Sequence, residues 1–310
     1  MATTSSRLAD AVLSALTEAG TGWAVLHGEE EVARGEIGSD VDLVTRMPMA
    51  VVLRGPFTDI LRQGGVYPVI YWPYDVAGTA TVYFTNDDAS EGVQIDTLHD
   101  PDARGKFGVR TDALLDHAGP GEAWPRVEPL FSLLYQVRKR HWKGQHDRIA
   151  GLREQLANHP PEIEDAAAEM FDRATRDLVV QLVDGVDPAR FPREAPAYRA
   201  RNLARKVRRL SAPVGAWVEF AGPEAEVAAE LAARRFATLL NVVRRADRPS
   251  GAGVAQWWMR NVAPVRWRPG LVVGVGAGGR PMPDLVIRSD HADTAVQTLV
   301  RELADRVVRA

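Results

Sequence analysis

The chain has 310 residues, of which 45% are hydrophobic and 25% charged, an ordinary globular composition that is long enough for two domains. The net charge of −3 excludes a global attraction to nucleic acid or to an anionic membrane surface. The absence of cysteine excludes disulfides, thiolate metal sites and a cysteine nucleophile.

The first ten residues lack a basic segment followed by an apolar one, and no apolar run approaches the length that spans a bilayer. These features favour a cytoplasmic protein without a membrane partner.

The first predicted elements are a helix and two strands. Apolar residues recur at helical spacing from Leu8 to Ala19, and Gly20 closes the helix. Two short apolar runs follow, at 23–26 and 41–44, and each predicts a strand.

Two carboxylates mark the second of these strands, after a polar loop with glycines at 28, 35 and 38. Asp40 precedes the apolar run and Asp42 lies inside it. Residues two apart in a strand project from the same face, and neighbouring carboxylates repel each other unless a cation lies between them. Mg²⁺ typically takes one or two carboxylates together with substrate phosphates. The stretch therefore predicts a metal–phosphate site.

The rest of residues 1–125 predicts a small α/β sheet with helices packed on one side. A helix is expected at 50–63, and strands at 66–84 with a break at Gly78. The run 92–98 carries Asp96 and is predicted to form a hairpin with 81–84, which would place Asp96 beside the first carboxylates if the strands are neighbours. Trp72, Tyr74 and Tyr83 are interpreted as core or cross-strand residues rather than as a base-stacking surface.

This order of elements resembles the nucleotidyltransferase superfamily typified by DNA polymerase beta. Leu26 or His27 with Gly28 begins the signature and Asp40-Val41-Asp42 ends it, although Glu29 stands where that family has a small residue. Gly38-Ser39 before Asp40 resembles a bacterial subgroup with a Gly-Ser-Asp-x-Asp core.

The resemblance implies a Mg²⁺-dependent enzyme, with one or two ions, that moves a nucleoside monophosphate from an NTP such as ATP to a hydroxyl or amine of a small-molecule acceptor. The acceptor class would be a sugar, an antibiotic or a specialised metabolite. Asp40, Asp42 and Asp96 would bind the metal and catalyse, with Asp96 as the general base. Gly28, Gly38 and Ser39 would bind the nucleotide. The competing interpretation is that the aspartates cap turns or are solvated at strand edges.

Residues 126–210 predict a helical segment and linker. A stripe from Leu130 to Val137 runs into Lys143-Gly144, which resembles a helix of the subgroup whose lysine reaches the triphosphate. Lys143 is therefore a predicted nucleotide ligand, and the alternative is a basic helix end favoured by the helix dipole. A second helical pattern covers 162–183, and the basic run 193–209 is interpreted as a solvated linker helix rather than a nucleic-acid surface.

Residues 211–310 predict a small α/β domain. A strand, Gly222-Pro223 and a helix resemble the start of a P-loop kinase such as the thymidylate-kinase-like domain of some subgroup members. Residues 224–228 read Glu-Ala-Glu-Val-Ala without the required lysine, which predicts a degenerate fold that has lost phosphate transfer. The glycines at 274, 276 and 279 have dinucleotide-loop spacing, but Pro281 and Pro283 exclude an immediate helix, so a loop between strands is expected. A helix at 292–308 closes a unit suited to packing, homodimer formation or substrate recognition.

Two further functions stay open on the sequence. Glu29 and the altered loop at 224–228 favour a non-catalytic partner or regulatory protein built from decayed nucleotide-binding domains. The third hypothesis is a toxin-type transferase that uses the same carboxylates to modify a protein or tRNA.

Overall fold

The computed structural model of the protein describes residues 4–27, 40–121, 123–157, 162–208, 214–249, 253–276 and 282–309; the side chains of residues 4–6, 27, 40 and 208 lie outside what it describes. The fold is α/β, with one mixed sheet and one parallel sheet, each covered by helices. Within the described ranges, no helix has the length and apolar character needed to cross a membrane.

The first sheet has seven strands in the order β3-β4-β5-β2-β1-β7-β6. In chain order these are β1 (Trp23–His27), β2 (Asp40–Thr45), β3 (Val66–Pro73), β4 (Ala80–Asn86), β5 (Gly92–Leu98), β6 (Ala118–Pro120) and β7 (Pro125–Val127). β2 pairs antiparallel with β1 and parallel with β5, which makes the sheet mixed.

The predicted hairpin is confirmed, because β4 and β5 pair antiparallel. The predicted neighbourhood of the carboxylate strands is also confirmed. In the parallel ladder between β2 and β5, Asp42 lies opposite Asp96 and Asp40 lies opposite Gln94.

Nine helices of four residues or more are described before the second sheet. They are α1 (Thr4–Glu18), α2 (Met49–Val52), α3 (Pro56–Gln63), α4 (Thr111–Asp116), α5 (Pro129–Lys143), α6 (His146–Leu156), α7 (Ile163–Met170), α8 (Arg173–Val183) and α9 (Pro196–Arg208).

Two predicted helices are each divided in two. The helix expected at 50–63 breaks at Gly55-Pro56, because proline lacks an N–H and fits the first turn of a new helix, here α3. The helix expected at 162–183 breaks at Phe171, whose extended backbone bridges to Val109. Asp172 then caps α8 by accepting a hydrogen bond from the Thr175 N–H at 2.9 Å.

Helices cover both faces of the first sheet, so the expectation of helices on one side was wrong. α1 and α3 pack on the face that carries Val41 and Leu43. The helical segment packs on the opposite face, where Phe131 and Leu134 of α5 contact the cluster that includes Val44. Asp42 lies on this second face, since side chains two apart along a strand project alike.

The second sheet is parallel, with the order β11-β8-β10-β9. Its elements are β8 (Ala216–Ala221), α10 (Ala225–Phe236), β9 (Val242–Arg245), α11 (Val254–Asn261), α12 (Ala263–Arg266), β10 (Gly270–Val275), β11 (Leu285–Arg288) and α13 (Ala292–Arg309). Its apolar core continues into the first sheet, because Val69 and Ile70 of β3 pack with residues of α10 and α13. The two sheets thus share a hydrophobic cluster.

Candidate functional site

The site is built around two carboxylates on adjacent strands. Asp42 of β2 and Asp96 of β5 occupy matching positions in a parallel ladder, and both line one pocket of about 230 Å³. Neighbouring strands lie about 4.8 Å apart, so two ionised carboxylates at matching positions repel strongly unless cations or hydrogen-bond donors compensate them.

Lys139 supplies a cation to Asp42. This lysine belongs to α5, and its Nζ donates a hydrogen bond to Asp42 Oδ2. Asp42 is only 7% exposed and Lys139 only 6%, so the ion pair is buried. Burying either charge alone would be costly, which explains why the helix presents a lysine where the strand presents an aspartate.

Asp96 is held by neutral donors. Thr81 Oγ1 of β4 donates to Asp96 Oδ1 at 2.5 Å, and Gln94 Nε2 donates to the same oxygen at 3.2 Å. Thr81 lies opposite Asp96 in the antiparallel ladder, which places its hydroxyl beside the carboxylate. These contacts fix the orientation of Asp96.

The pocket wall combines cations with aromatic rings. Lys106, Lys139 and Lys143 all line it, together with Trp72, Tyr74, Phe107, Tyr135 and Trp142. Burial, followed by the charges of Asp96, Tyr135 and Asp42, raises the pKa of Tyr74 well above its ordinary value. Such a pocket can take an anion on the lysines and a planar ring on the aromatic surfaces.

Lys106 stands among three rings. Its Nζ lies 4.2 Å from the ring centre of Tyr74, 4.4 Å from that of Trp142 and 4.6 Å from that of Phe107. Burial lowers the pKa of Lys106 to about 8, although nearby Asp75 and Asp96 oppose the shift. The ammonium is therefore easier to deprotonate than that of an exposed lysine.

The loop that carries Lys106 is fixed by buried carboxylates. Asp100 accepts hydrogen bonds from the backbone N–H groups of Arg104 at 2.7 Å and Gly105 at 2.6 Å, and Asp75 accepts one from that of Lys106 at 3.0 Å. A Cβ on Gly105 would lie 2.9 Å from Asp100 Oδ2, so glycine is needed at this approach. Burial raises the pKa of Asp100 to about 6. The position of Lys106 is thus determined by its backbone contacts.

The structure brings three of the predicted site residues to one pocket, namely Asp42, Asp96 and the exposed Lys143. Asp40 begins β2, two residues before Asp42, and its side chain lies outside the described part. Gly28, Glu29, Gly38 and Ser39 also lie outside the described residues. Among the described side chains no group of three acidic, histidine or cysteine residues converges as a metal site.

Sequence reasoning missed two lysines of the site. Lys143 was predicted from the resemblance of Lys143-Gly144 to a helix end of the subgroup, and Lys139 lies four residues earlier on the same helical face, so helical spacing from Lys143 could have indicated it. Lys106 belongs to an irregular loop without periodicity, and no local signal indicates it. Trp72 lies opposite Thr81 in the ladder between β3 and β4, as a cross-strand residue, and Tyr83 is buried in the core, both as expected. Trp72 and Tyr74 also line the pocket.

The loop after β8 offers carboxylates where a phosphate loop would offer amides. Glu224 Oε2 accepts a hydrogen bond at 2.7 Å from the N–H of Ala292, in the first turn of α13. Glu226 pairs with Arg245 at 2.5 Å. Both carboxylates thus have partners within the second sheet unit.

No protein-family model matches the chain, and no curated protein matches it.

Proposed function

We propose that the protein is a Mg²⁺-dependent nucleotidyltransferase that moves a nucleoside monophosphate from an NTP to a hydroxyl or amine of a small molecule. The observation that carries this proposal is the matched position of Asp42 and Asp96 in a pocket that also contains three lysines. Carboxylates suit a hard cation, lysines suit phosphate oxygens, and the aromatic wall suits a base.

The donor set fits Mg²⁺. Two carboxylates on adjacent strands supply oxygen ligands, and Asp40, two residues before Asp42 on the same strand, would supply a third. Lys139 competes, because its ammonium already neutralises Asp42. Asp42 and Asp96 would hold the ion, and Lys139, which lines the same pocket, would pair with phosphate oxygens. A bound Mg²⁺ would supply charge neutralisation at the phosphate oxygens.

Each of these residues has a role in the proposed transfer. The acceptor O–H or N–H loses its proton to Asp96, whose orientation Thr81 and Gln94 fix. The acceptor atom forms a bond to the α-phosphorus while the bond to the bridging oxygen breaks, and pyrophosphate leaves. Lys139 and Lys143 would stabilise the charge that develops on the phosphates.

A pair of labelled substrates tests the reaction. The protein is incubated with Mg²⁺ and each NTP, labelled at either the α- or the γ-phosphate, and with a small-molecule extract. Nucleotidyl transfer puts the α-label on a small molecule and the γ-label in pyrophosphate. Transfer of the γ-label to the acceptor would contradict the proposal, and α-label on protein or tRNA would favour the toxin-type activity instead.

The buried Asp42–Lys139 pair favours a second candidate, a non-catalytic protein derived from nucleotide-binding domains. In that case the ion pair is a permanent structural contact, and the altered loop at Glu224 is a second sign of decay. Absence of both NTP and Mg²⁺ binding would support this candidate over the transferase.

A further inference from the structure

A second pocket, of about 540 Å³, adjoins the first. The two share four lining residues, namely Trp72, Tyr74, Lys106 and Trp142. The second pocket extends from these residues to α9 and to the segment after α12, so all three parts of the chain contribute to it.

α9 is attached to the pocket wall by its basic residues, so it is not only the solvated linker expected from the sequence. Arg205 donates to the carbonyl oxygen of Pro73 at 2.9 Å and to Asn202 Oδ1 at 2.8 Å. Arg201 donates to the carbonyl oxygen of Arg104 at 2.9 Å, in the loop that carries Lys106. Tyr198 of the same helix is only 4% exposed. The helix is thus a fixed wall of the pocket.

The charges of the second pocket are mainly positive. Among the described residues, those that line it include Lys106, Arg205, Lys206 and Arg268 and a single carboxylate, Glu194. Arg205 makes its hydrogen bonds to uncharged acceptors. Burial lowers the pKa of Arg205 and the charge of nearby Asp75 opposes that shift, so Asp75 offsets part of the positive charge at Arg205. A cationic ligand would be repelled here, whereas an anion would gain most from the exposed Lys206 and Arg268.

The walls of the pocket are also aromatic. Trp72, Trp142 and Trp267 line it along with Tyr74, and the Trp72 and Tyr74 rings are 5.6 Å apart. Indole and phenol faces bind flat, apolar ring systems by stacking and area burial. Positive charge and ring surfaces in one cavity select a planar molecule that bears an anionic group.

We infer that the second pocket binds the acceptor, and that the acceptor is a planar ring compound carrying a carboxylate or a phosphate. This assignment rests on the proposed transferase function, which places the NTP in the first pocket. An acceptor bound in the second pocket would approach the carboxylates beside Lys106, which lines both pockets. The anionic group would lie toward Lys206 and Arg268, at the far side from Asp96.

Three naphthalene probes of equal shape test this inference. They are 2-naphthoate, 2-naphthylmethanol and 2-naphthylmethylamine, which differ in charge. Calorimetric titration into the full chain should give the tightest binding for the anion, at least tenfold over the alcohol, and the weakest for the amine. Equal binding of the three probes, or a preference for the amine, would overturn the inference.

Two double variants locate the binding. Lys206→Ala/Arg268→Ala removes two exposed cations of the pocket and should weaken 2-naphthoate binding about tenfold. Arg234→Ala/Arg301→Ala removes two exposed cations that line neither pocket and should leave the affinity unchanged. Equal affinities for the two variants would place the probe elsewhere and refute the site.

A competition experiment separates this inference from the proposed function. With Mg²⁺ and the NTP present, 2-naphthoate should still bind, because the acceptor and the nucleotide occupy different pockets. Mutual exclusion would show that the nucleotide itself fills the second pocket, and the acceptor assignment would be wrong. If 2-naphthoate binds as predicted while no NTP binds, the anion site stands, but its assignment to an acceptor is overturned with the transferase function.

Discussion

Replacement of Lys139 by methionine separates a metal site from a structural ion pair. Methionine keeps the length and apolar character of the side chain but removes the ammonium that neutralises Asp42. Both partners are more than nine-tenths buried, so the variant leaves a buried carboxylate beside Asp96 without its cation. Breaking such a pair costs about 3–5 kcal/mol of unfolding free energy.

Mg²⁺ should recover part of that loss. If Asp42 and Asp96 form a metal site, the ion replaces the missing ammonium, and it stabilises the folded variant by about 2.7 kcal/mol at a hundredfold excess over its Kd. Wild type should gain less from Mg²⁺, because Lys139 competes for Asp42.

Urea denaturation with EDTA and with Mg²⁺ measures both effects. The matched control is Lys143→Met, which removes an exposed lysine one turn further along α5 and should change stability by about 0.5 kcal/mol or less. A loss for Lys139→Met as small as that of the control would refute the buried-pair reasoning. A large loss without any Mg²⁺ recovery would refute the metal site.

Two further predictions concern pH and packing. Burial, with the charge of Arg138 adding to it, lowers the pKa of His141 to about 4 from an ordinary 6.5, so the folded state binds fewer protons than the unfolded state between these values. The contribution of His141 to the free energy of unfolding is complete above pH 6.5 and falls by about 3 kcal/mol as the pH decreases to about 4. His141→Gln should remove this pH dependence, measured by urea denaturation at each pH. An unchanged dependence of the unfolding free energy on pH would contradict the prediction. Gly215→Ala should destabilise by about 1–3 kcal/mol, because its Cβ would lie 2.2 Å from the backbone oxygen of Val265. The control is Gly151→Ala in α6, where no atom lies within 4 Å of the added Cβ, and thermal unfolding should show a stabilisation of up to about 1 kcal/mol. A loss of stability of equal size in both variants would show that the contact at Gly215 does not matter.

The position of each carboxylate on its own strand was predictable, because the alternation of side chains along a strand is local. Strand alternation identified the positions of Asp42 and Asp96, and a short connection favoured pairing of β4 with β5. That β2 lies next to β5 was a hypothesis until the structure showed it. Helical spacing contained the signal for Lys139, although only Lys143 was recognised.

The remainder of the site depends on contacts between distant segments. Lys106 lines the pocket of the carboxylates because Asp75 and Asp100 fix its loop through backbone hydrogen bonds, and neither contact has a periodic signature. The second pocket requires β3, α9 and Trp267 to meet, which is determined by the shared core of the two sheets. Patterns in a single sequence describe one helix or strand at a time and carry no information on contacts between segments that are distant in sequence.

Metal-dependent nucleotide binding is the most direct test of the central claim. The four NTPs are titrated calorimetrically, with and without Mg²⁺, into wild type, Asp42→Asn and the control Asp116→Asn, whose exposed carboxylate pairs with Arg46 at the surface. We predict that at least one NTP binds wild type and the control only with Mg²⁺, and that Asp42→Asn lowers the affinity at least a hundredfold. Equal NTP binding by wild type and Asp42→Asn, or binding indifferent to Mg²⁺, would contradict the assignment of these carboxylates to a metal–nucleotide site.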